Sequence, residues 1–433
     1  MRKGEAHAMA ATAGERASVP DEMREPLGWD GIGAILILLV AAAPVRDWVS
    51  EQSIVPVLFR ALWWLIYLGA AARLLQECGT KWLWWTIRHQ SALCVLLILT
   101  VASSLWSLAP AFTLQKAASL LGTTVVAVWI GYTCPPQRLM RVLYGTFTLL
   151  ILSGIVVALT LPTPVTEAHP MGWRGIMGNR NSFGAAAAVA TTFFLIVTLR
   201  RHVHPLWGAI LCALSVFAVA QARSRTAFVA LSVCLLAWVC LAVASVTRRP
   251  IRGLVRGLSI GLVLGVSVVP FLVGPLAMAL GDPDPLNGRT KIWAGALTIL
   301  RERPLTGYGY AVVWGRVDAT LLPHVDVTAR PWANTAHNSI AQVATELGIP
   351  AAIVACVYLY GALSGAGRLC ERAPSAFSLF AFVFLIGVTI MGFAETHLFQ
   401  IHWMFWILVV ALTVATRRSL NGAAAPAGSG TDQ

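Results

Sequence analysis

Apolar runs of roughly 20 residues, long enough to cross the hydrocarbon of a bilayer, recur from one end of the chain to the other with short polar stretches between them. The pattern predicts helices over 29–45, 54–74, 90–107, 115–133, 142–161, 182–199, 205–221, 226–246, 257–279, 349–366, 376–394 and 400–416, twelve in all. The first is short and bounded by Trp29 and Trp48, which suit the headgroup region. The expected fold is all-α: a polytopic membrane protein of about 12 transmembrane helices. Its parts are a tail at 1–28, transmembrane helices one to nine within 29–279, a long loop at 280–348, helices ten to twelve within 349–416 and a second tail at 417–433. Met1 to Gly28 is polar and mixed in charge, which reads as a disordered tail and not as a cleavable signal. Ala423 to Gln433, rich in Ala, Gly and Ser, reads the same way.

The long loop carries two helical patterns of its own. Trp293, Leu297 and Leu300 recur at helical spacing between Gly288 and Pro304. A second pattern begins near Asn334, with Ala336, Ile340, Val343 and Leu347 on one stripe, and ends at Gly348 and Pro350. Both are expected to lie as amphipathic helices at the outer membrane surface.

Composition agrees: 57% of the 433 residues are hydrophobic and 12% charged, about half the charged share of a soluble domain. The net charge of +13 does not indicate nucleic acid, because the basic residues cluster between apolar runs as the positive-inside rule describes. Placing the N-terminus in the cytoplasm puts Arg138/Arg141, Arg200/Arg201, Arg248/Arg249/Arg252/Arg256, Arg368/Arg372 and Arg417/Arg418 there too. The C-terminus is then cytoplasmic, and segments 162–181, 222–225, 280–348 and 395–399 face outward. Of the eight cysteines, none has zinc-site spacing and none falls in an outer loop. They read as small buried hydrophobes.

Against that bias, Arg174, Arg180, Arg223, Arg225 and Arg289 fall outside. Arg223 and Arg225 share the short turn Gln221–Thr226, where two guanidiniums repel unless an anion joins them. A diphosphate would satisfy them by bidentate hydrogen bonds, and snorkelling to lipid headgroups is the alternative. The glycine-rich stretch Met171 to Gly184 carries Arg174 and Arg180 into a helix N-terminus, where backbone amides also favour anions. His337 could accept a proton from a hydroxyl near neutral pH. His169, His324, His397 and His402 compete with it, and Asp47, Glu51, Asp282, Asp284 and Glu395 are the acidic candidates. Asp282-Pro-Asp284 reads as a turn and not as a metal pair.

At these residues the chain resembles the O-antigen ligase and surface-polysaccharide polymerase superfamily. The carrying motifs are Gly288-Arg-Thr-Lys-Ile-Trp293, Arg303-Pro-Leu-Thr-Gly-Tyr-Gly309, Ala336-His-Asn-Ser339 and Glu346-Leu-Gly-Ile349. Upstream, Trp173-Arg-Gly-Ile-Met-Gly-Asn-Arg-Asn181 and Ser224-Arg225 add to the likeness. It covers most of the chain from about residue 90. The resemblance implies a metal-independent, inverting membrane glycosyltransferase without cofactor, in a bacterial inner membrane, with its active site on the periplasmic face. The implied partners are an undecaprenyl-diphosphate-linked glycan donor, a lipid A–core or glycan acceptor, and membrane lipids. His337 is implied to activate the acceptor hydroxyl, while Arg289, Arg225, Arg174 and Arg180, with Arg223 beside them, clamp the diphosphate. Asn338, Trp293 and Tyr308 lie in the motifs as acceptor or glycan contacts. Ligase and polymerase both remain open, and Asn179-Arg-Asn181 is similar to exopolysaccharide polymerases. A transporter or flippase is a third reading, but it would need charges buried mid-membrane and two related halves. Arg60 is the clearest within-span charge, and no such halves are seen.

Overall fold

The computed structural model describes residues 26–43, 55–161, 171–246, 252–279, 289–315 and 335–422, and every regular element among them is helical. In chain order these are α1 (Gly28–Ala42), α2 (Val55–Cys78), α3 (Lys81–His89), α4 (Ser91–Ala102), α5 (Pro110–Thr133), α6 (Pro136–Thr160), α7 (Arg180–Leu199) and α8 (Pro205–Ala222). Then follow α9 (Arg225–Val246), α10 (Arg252–Ala279), α11 (Arg289–Glu302), α12 (Val312–Gly315), α13 (Ser339–Arg372), α14 (Ala376–Ala394) and α15 (Met404–Gly422). Each of the twelve expected runs falls on a helix. Among the described residues, eight helices are long and apolar enough to cross a membrane, or nine if α3 and α4, bent by 98° at Gln90, form one span. The chain is a polytopic helical membrane protein. The suggested tails at 1–25 and 423–433, together with Trp48, Asp47, Glu51, His169, Asp282, Asp284, His324, Asn334, Arg248 and Arg249, lie outside the described residues.

Burial follows lipid logic. On α2, Trp63, Tyr67, Ala70 and Leu74 recur on one buried face, while Leu58, Leu65, Leu68 and Leu75 are exposed. Such a leucine face suits hydrocarbon as its solvent. The centre is formed by α14 and by α15 up to Thr416, nearly every residue of which is buried. Phe193 on α7 sits between Phe147 on α6 and Phe380 on α14, with ring centroids 5.2 and 5.0 Å away. Small residues admit the closest crossings: a Cβ at Gly131 on α5 would lie 2.3 Å from the Ala411 carbonyl oxygen on α15. Dispersion contacts of this kind hold helices together where no water is present to drive them.

The long loop departs from expectation at its second helix. Ser339 to Gly348 is buried on every side, where a half-exposed amphipathic helix was expected. It is the first arm of α13, broken at Gly348 (φ 85°, ψ 169°) and continued by the span that ends at Arg372. The helix also starts later than the stripe suggested, at Ser339, because Asn338 caps it. The break is held by the motif Arg303 to Gly309. Pro350 has no N–H and so leaves the Glu346 carbonyl without its helical donor. Gly309 N–H supplies that carbonyl at 2.9 Å, Tyr308 N–H donates to the Thr345 carbonyl at 3.3 Å, and Ile349 N–H donates to the Pro304 carbonyl at 2.8 Å. Two motifs distant in sequence thus satisfy each other's backbone.

Gly348 is required on two counts. Its φ lies in the left-handed region, and a Cβ would meet the Leu305 carbonyl oxygen at 2.2 Å. Gly348→Ala is expected to cost about 1–3 kcal/mol, read as a lower melting temperature of the solubilised protein. Gly69→Ala, where nothing lies within 4 Å, should leave the melt unchanged.

Candidate active site

The site is assembled at the N-terminus of α13. Asn338 Oδ1 accepts the Ile340 and Ala341 N–H groups at 3.0 and 2.8 Å. Its Nδ2 donates to the Val266 carbonyl on α10 at 2.8 Å and to the Phe393 carbonyl on α14 at 3.2 Å. One fully buried side chain therefore ties three helices. Ser339 Oγ accepts the His397 and Leu398 N–H groups at 3.2 and 3.3 Å, which draws in the loop after α14. His337, just ahead of the cap, has φ 47°. Left-handed backbone is uncommon without glycine and persists where neighbours impose it.

That conformation sets His337 Nδ1 3.2 Å from Glu395 Oε2. The other carboxylate oxygen accepts Arg289 Nη2 and Asn181 Nδ2, each at 2.6 Å. Glu395 is 8% exposed. Burial alone would raise its carboxyl, but the hydrogen bond and charge of His337, with Arg289 and His397, hold it down at about 2. An ionised carboxylate can only accept, so Nδ1–H is the donor in this pair and Nε2 is the ring nitrogen outside it. The competing histidines are set differently. Burial lowers His397 to about 4, and its Nδ1 accepts the Trp403 indole N–H at 3.3 Å. Burial, then Lys116, lowers His402 to about 3, and it stacks on Trp63 at 4.4 Å.

Beside this group is a cavity of about 440 Å³ lined by Arg180, Asn181, Arg223, Arg225, Arg289 and Trp293, with Thr226, Val229, Ile390, Phe393 and Ala394 forming its apolar part. Arg180, Arg225 and Arg289 are the first residues of α7, α9 and α11. A cation at a helix N-terminus opposes the macrodipole, so three such placements around one cavity make sense as an anion site. Arg180 lies within the fields of Arg289 and Arg225. Its Nη1 donates to the Met171 carbonyl at 2.9 Å, and Trp173 N–H donates to the Gln221 carbonyl at 2.9 Å. The glycine-rich stretch and the Arg223–Arg225 turn are thereby docked together.

The expected residues sort themselves. His337, Arg289, Arg225, Arg223 and Arg180 gather in one group, His337 joining through Glu395 and not as a lining residue. Arg174 is buried behind, within the field of Arg180; burial, then that charge, lower it from the usual guanidinium value. Trp293 lines the cavity, and its indole N–H donates to the Ala336 carbonyl at 3.1 Å, which holds the backbone before His337. Asn338 and Tyr308 have their hydrogen-bonding groups engaged within the fold. Both ends of the Asn338 amide are used in capping and bracing. Tyr308 packs away from the cavity against Ile292, Ala296 and Ile299, donates its hydroxyl to Glu302 at 2.5 Å, and is pushed up to about 12 by burial and then by that carboxylate. Asn181 and Glu395 are the residues whose part only the structure reveals. The signal in the sequence was an acid directly after an apolar run. Among the described residues, no group of three His, Cys, Asp or Glu could hold a metal ion.

The fold and this site define a helical membrane protein with an arginine-lined cavity beside a histidine–carboxylate pair. Residues 210–356, about a third of the chain, match the family described as O-antigen ligase, in support of the resemblance to the O-antigen ligase and surface-polysaccharide polymerase superfamily. The matched segment contains Arg223, Arg225, Arg289 and His337; Arg174, Arg180, Asn181 and Glu395 lie outside it. No curated protein matches the sequence.

A folded-state carboxyl held at about 2 against an ordinary value of 4.5 stabilises the protein above the higher value and loses that contribution as pH falls towards the lower. Thermal stability should therefore drop between these values in acid. Glu395→Gln should be less stable near neutrality, because the half-buried Arg289 loses its counter-charge, with a flatter acid limb in melts recorded against pH.

Proposed function

We propose that this protein transfers a glycan from undecaprenyl diphosphate to a lipid A–core acceptor at the periplasmic face of a bacterial inner membrane. The carrying observation is the Glu395 carboxylate, which joins His337 to Arg289 at the wall of the arginine cavity. In this reading the diphosphate enters the cavity, where four guanidiniums face it and one carboxylate opposes them. The acceptor hydroxyl attacks the anomeric carbon, His337 Nε2 takes its proton, and the bond from that carbon to the phosphate oxygen breaks. Negative charge grows on the departing diphosphate and is met by Arg180, Arg223, Arg225 and Arg289, preorganised donors in a partly dry site. Glu395 orients the ring and stabilises the imidazolium as it forms. Attack opposite the leaving group inverts the anomeric centre. The outward orientation rests on the basic clusters between the other ends of the helices.

The same machinery would serve a polymerase whose acceptor is the growing carrier-linked glycan, a reading supported by the Asn179-Arg180-Asn181 stretch at the head of α7. Purified protein supplied with lipid-linked donor and each acceptor in turn should form product with one of them. His337→Ala should lower the rate by at least about 10²-fold with helical content unchanged. Wild-type rates in that variant, or activity on neither acceptor, would overturn the proposal. Glycan flux into acceptor-free vesicles would favour transport instead.

A further inference from the structure

The second concentration of arginines lies at the opposite end of α13 from His337. Here α10 and α13 run antiparallel in one register. Arg252 Nε meets Glu371 Oε2 at 3.0 Å, Val255 packs on Gly367, where a Cβ would come within 2.2 Å, and Ser267 Oγ is 3.2 Å from Cys356 Sγ. Where the crossing opens, Arg252, Arg256, Arg368 and Arg372 line a cavity of about 350 Å³, with Glu371 as the opposing carboxylate and already paired to Arg252. Arg417 on α15 adds its field to that of Arg368.

Two buried polar atoms at this end have no hydrogen-bond partner among the described residues: Ser364 Oγ, on a lining residue, and Arg417 Nε. An apolar groove of about 440 Å³ follows the same helix pair towards the middle of the bundle, lined by Ile260, Val263, Leu264, Ile353, Cys356 and Val357 among others. Tyr360 lines both spaces. Ile260, Leu264, Ile353 and Val357 are exposed along it.

We propose that the α10–α13 groove is a binding site for an anionic phospholipid, its headgroup phosphate held by Arg252, Arg256, Arg368 and Arg372 and an acyl chain laid along the apolar groove past Tyr360. Charge complementarity selects the occupant. Four guanidiniums held together repel one another unless an anion joins them, and a phosphate diester accepts from several at once. Snorkelling side chains that merely reach for headgroups have no need to converge on one cavity. The apolar groove decides between sources of phosphate, since a free ion would use the polar cavity alone. Basic pockets between spanning helices are a known setting for anionic headgroups. The arginine cavity lies at the opposite end of α13 from His337, while the apolar groove runs on towards Ile340 and Ala341; the proposal does not depend on the glycan-transfer reading.

The test uses the full chain in mild detergent, with native mass spectrometry following titration by phosphatidylglycerol and, separately, by phosphatidylcholine. Phosphatidylglycerol should be retained more tightly by at least about tenfold, and R256Q/R368Q together should remove the difference. Arg88→Gln, on α3 and away from the groove, should not. Should the double variant fail to fold, Arg256→Gln alone carries the test, with a fall of a few-fold expected. Equal retention of the two lipids, or unchanged selectivity in the folded variant, would overturn the proposal. Displacement of phosphatidylglycerol by millimolar inorganic phosphate would also overturn it, showing a free-anion site. Glycan transfer is not part of the readout, so failure here leaves the transferase reading standing, and the reverse also holds.

Discussion

A carboxylate buried at the end of an apolar helix bundle is tolerable only when donors replace the water it has lost. Glu395 has three: Asn181 from the head of α7, Arg289 from the head of α11 and His337 from the turn before α13. None of these is near it in sequence, so the charge can be satisfied only when those elements converge. Satisfaction of the charge and assembly of the site are therefore one event. The carboxylate neutralises one guanidinium of the cavity and leaves the rest of the positive charge for an incoming anion.

The convergence depends on how the long loop is folded back into the bundle. An unbroken helix after Asn338 would run straight through Gly348. The break there turns the first arm of α13 into the protein, where every residue from Ser339 to Gly348 is buried. A helix broken at membrane depth leaves carbonyls without donors, and in hydrocarbon each would be costly. The Arg303–Gly309 turn supplies donors to the Thr345 and Glu346 carbonyls, so the break is satisfied by protein hydrogen bonds. Asn338 and Ser339 then anchor the start of the arm to α10, α14 and the loop that carries Glu395. The left-handed backbone at His337 is a local strain that these anchors impose, and it sets the ring on the carboxylate.

Charge is distributed to match. At one end, arginines head three helices around a cavity, in an arrangement the helix macrodipoles oppose unless an anion is present. At the other end of α13 a second group of arginines surrounds a polar cavity that opens onto an apolar groove. One long broken helix thus connects two arginine-rich regions with different surroundings. The first is paired with a histidine and a carboxylate that can handle a proton, and the second with a slot suited to an acyl chain.

The spans were legible because a helix that crosses hydrocarbon must be apolar for its whole length, and each of the twelve predicted runs is a helix. The arginines and His337 stood out for a related reason: charged groups outside the basic clusters are rare enough to notice. The partner of that histidine was not legible. Glu395 looked like any acid closing an apolar run, and its ties to Asn181 and Arg289 join segments that no local pattern connects. Likewise the stripe Ala336, Ile340, Val343 and Leu347 suggested a helix half in lipid, because periodicity reports which residues are apolar and not what covers the other face. Nor did the motifs show that the hydrogen-bonding groups of Asn338 and Tyr308 are used within the fold. Sequence by itself determined the helices, their membrane character and the charges that had to be accommodated. Tertiary structure alone decided which of those charges meet, since hydrogen bonds act over about 3 Å while the residues that make them are separated by much of the chain.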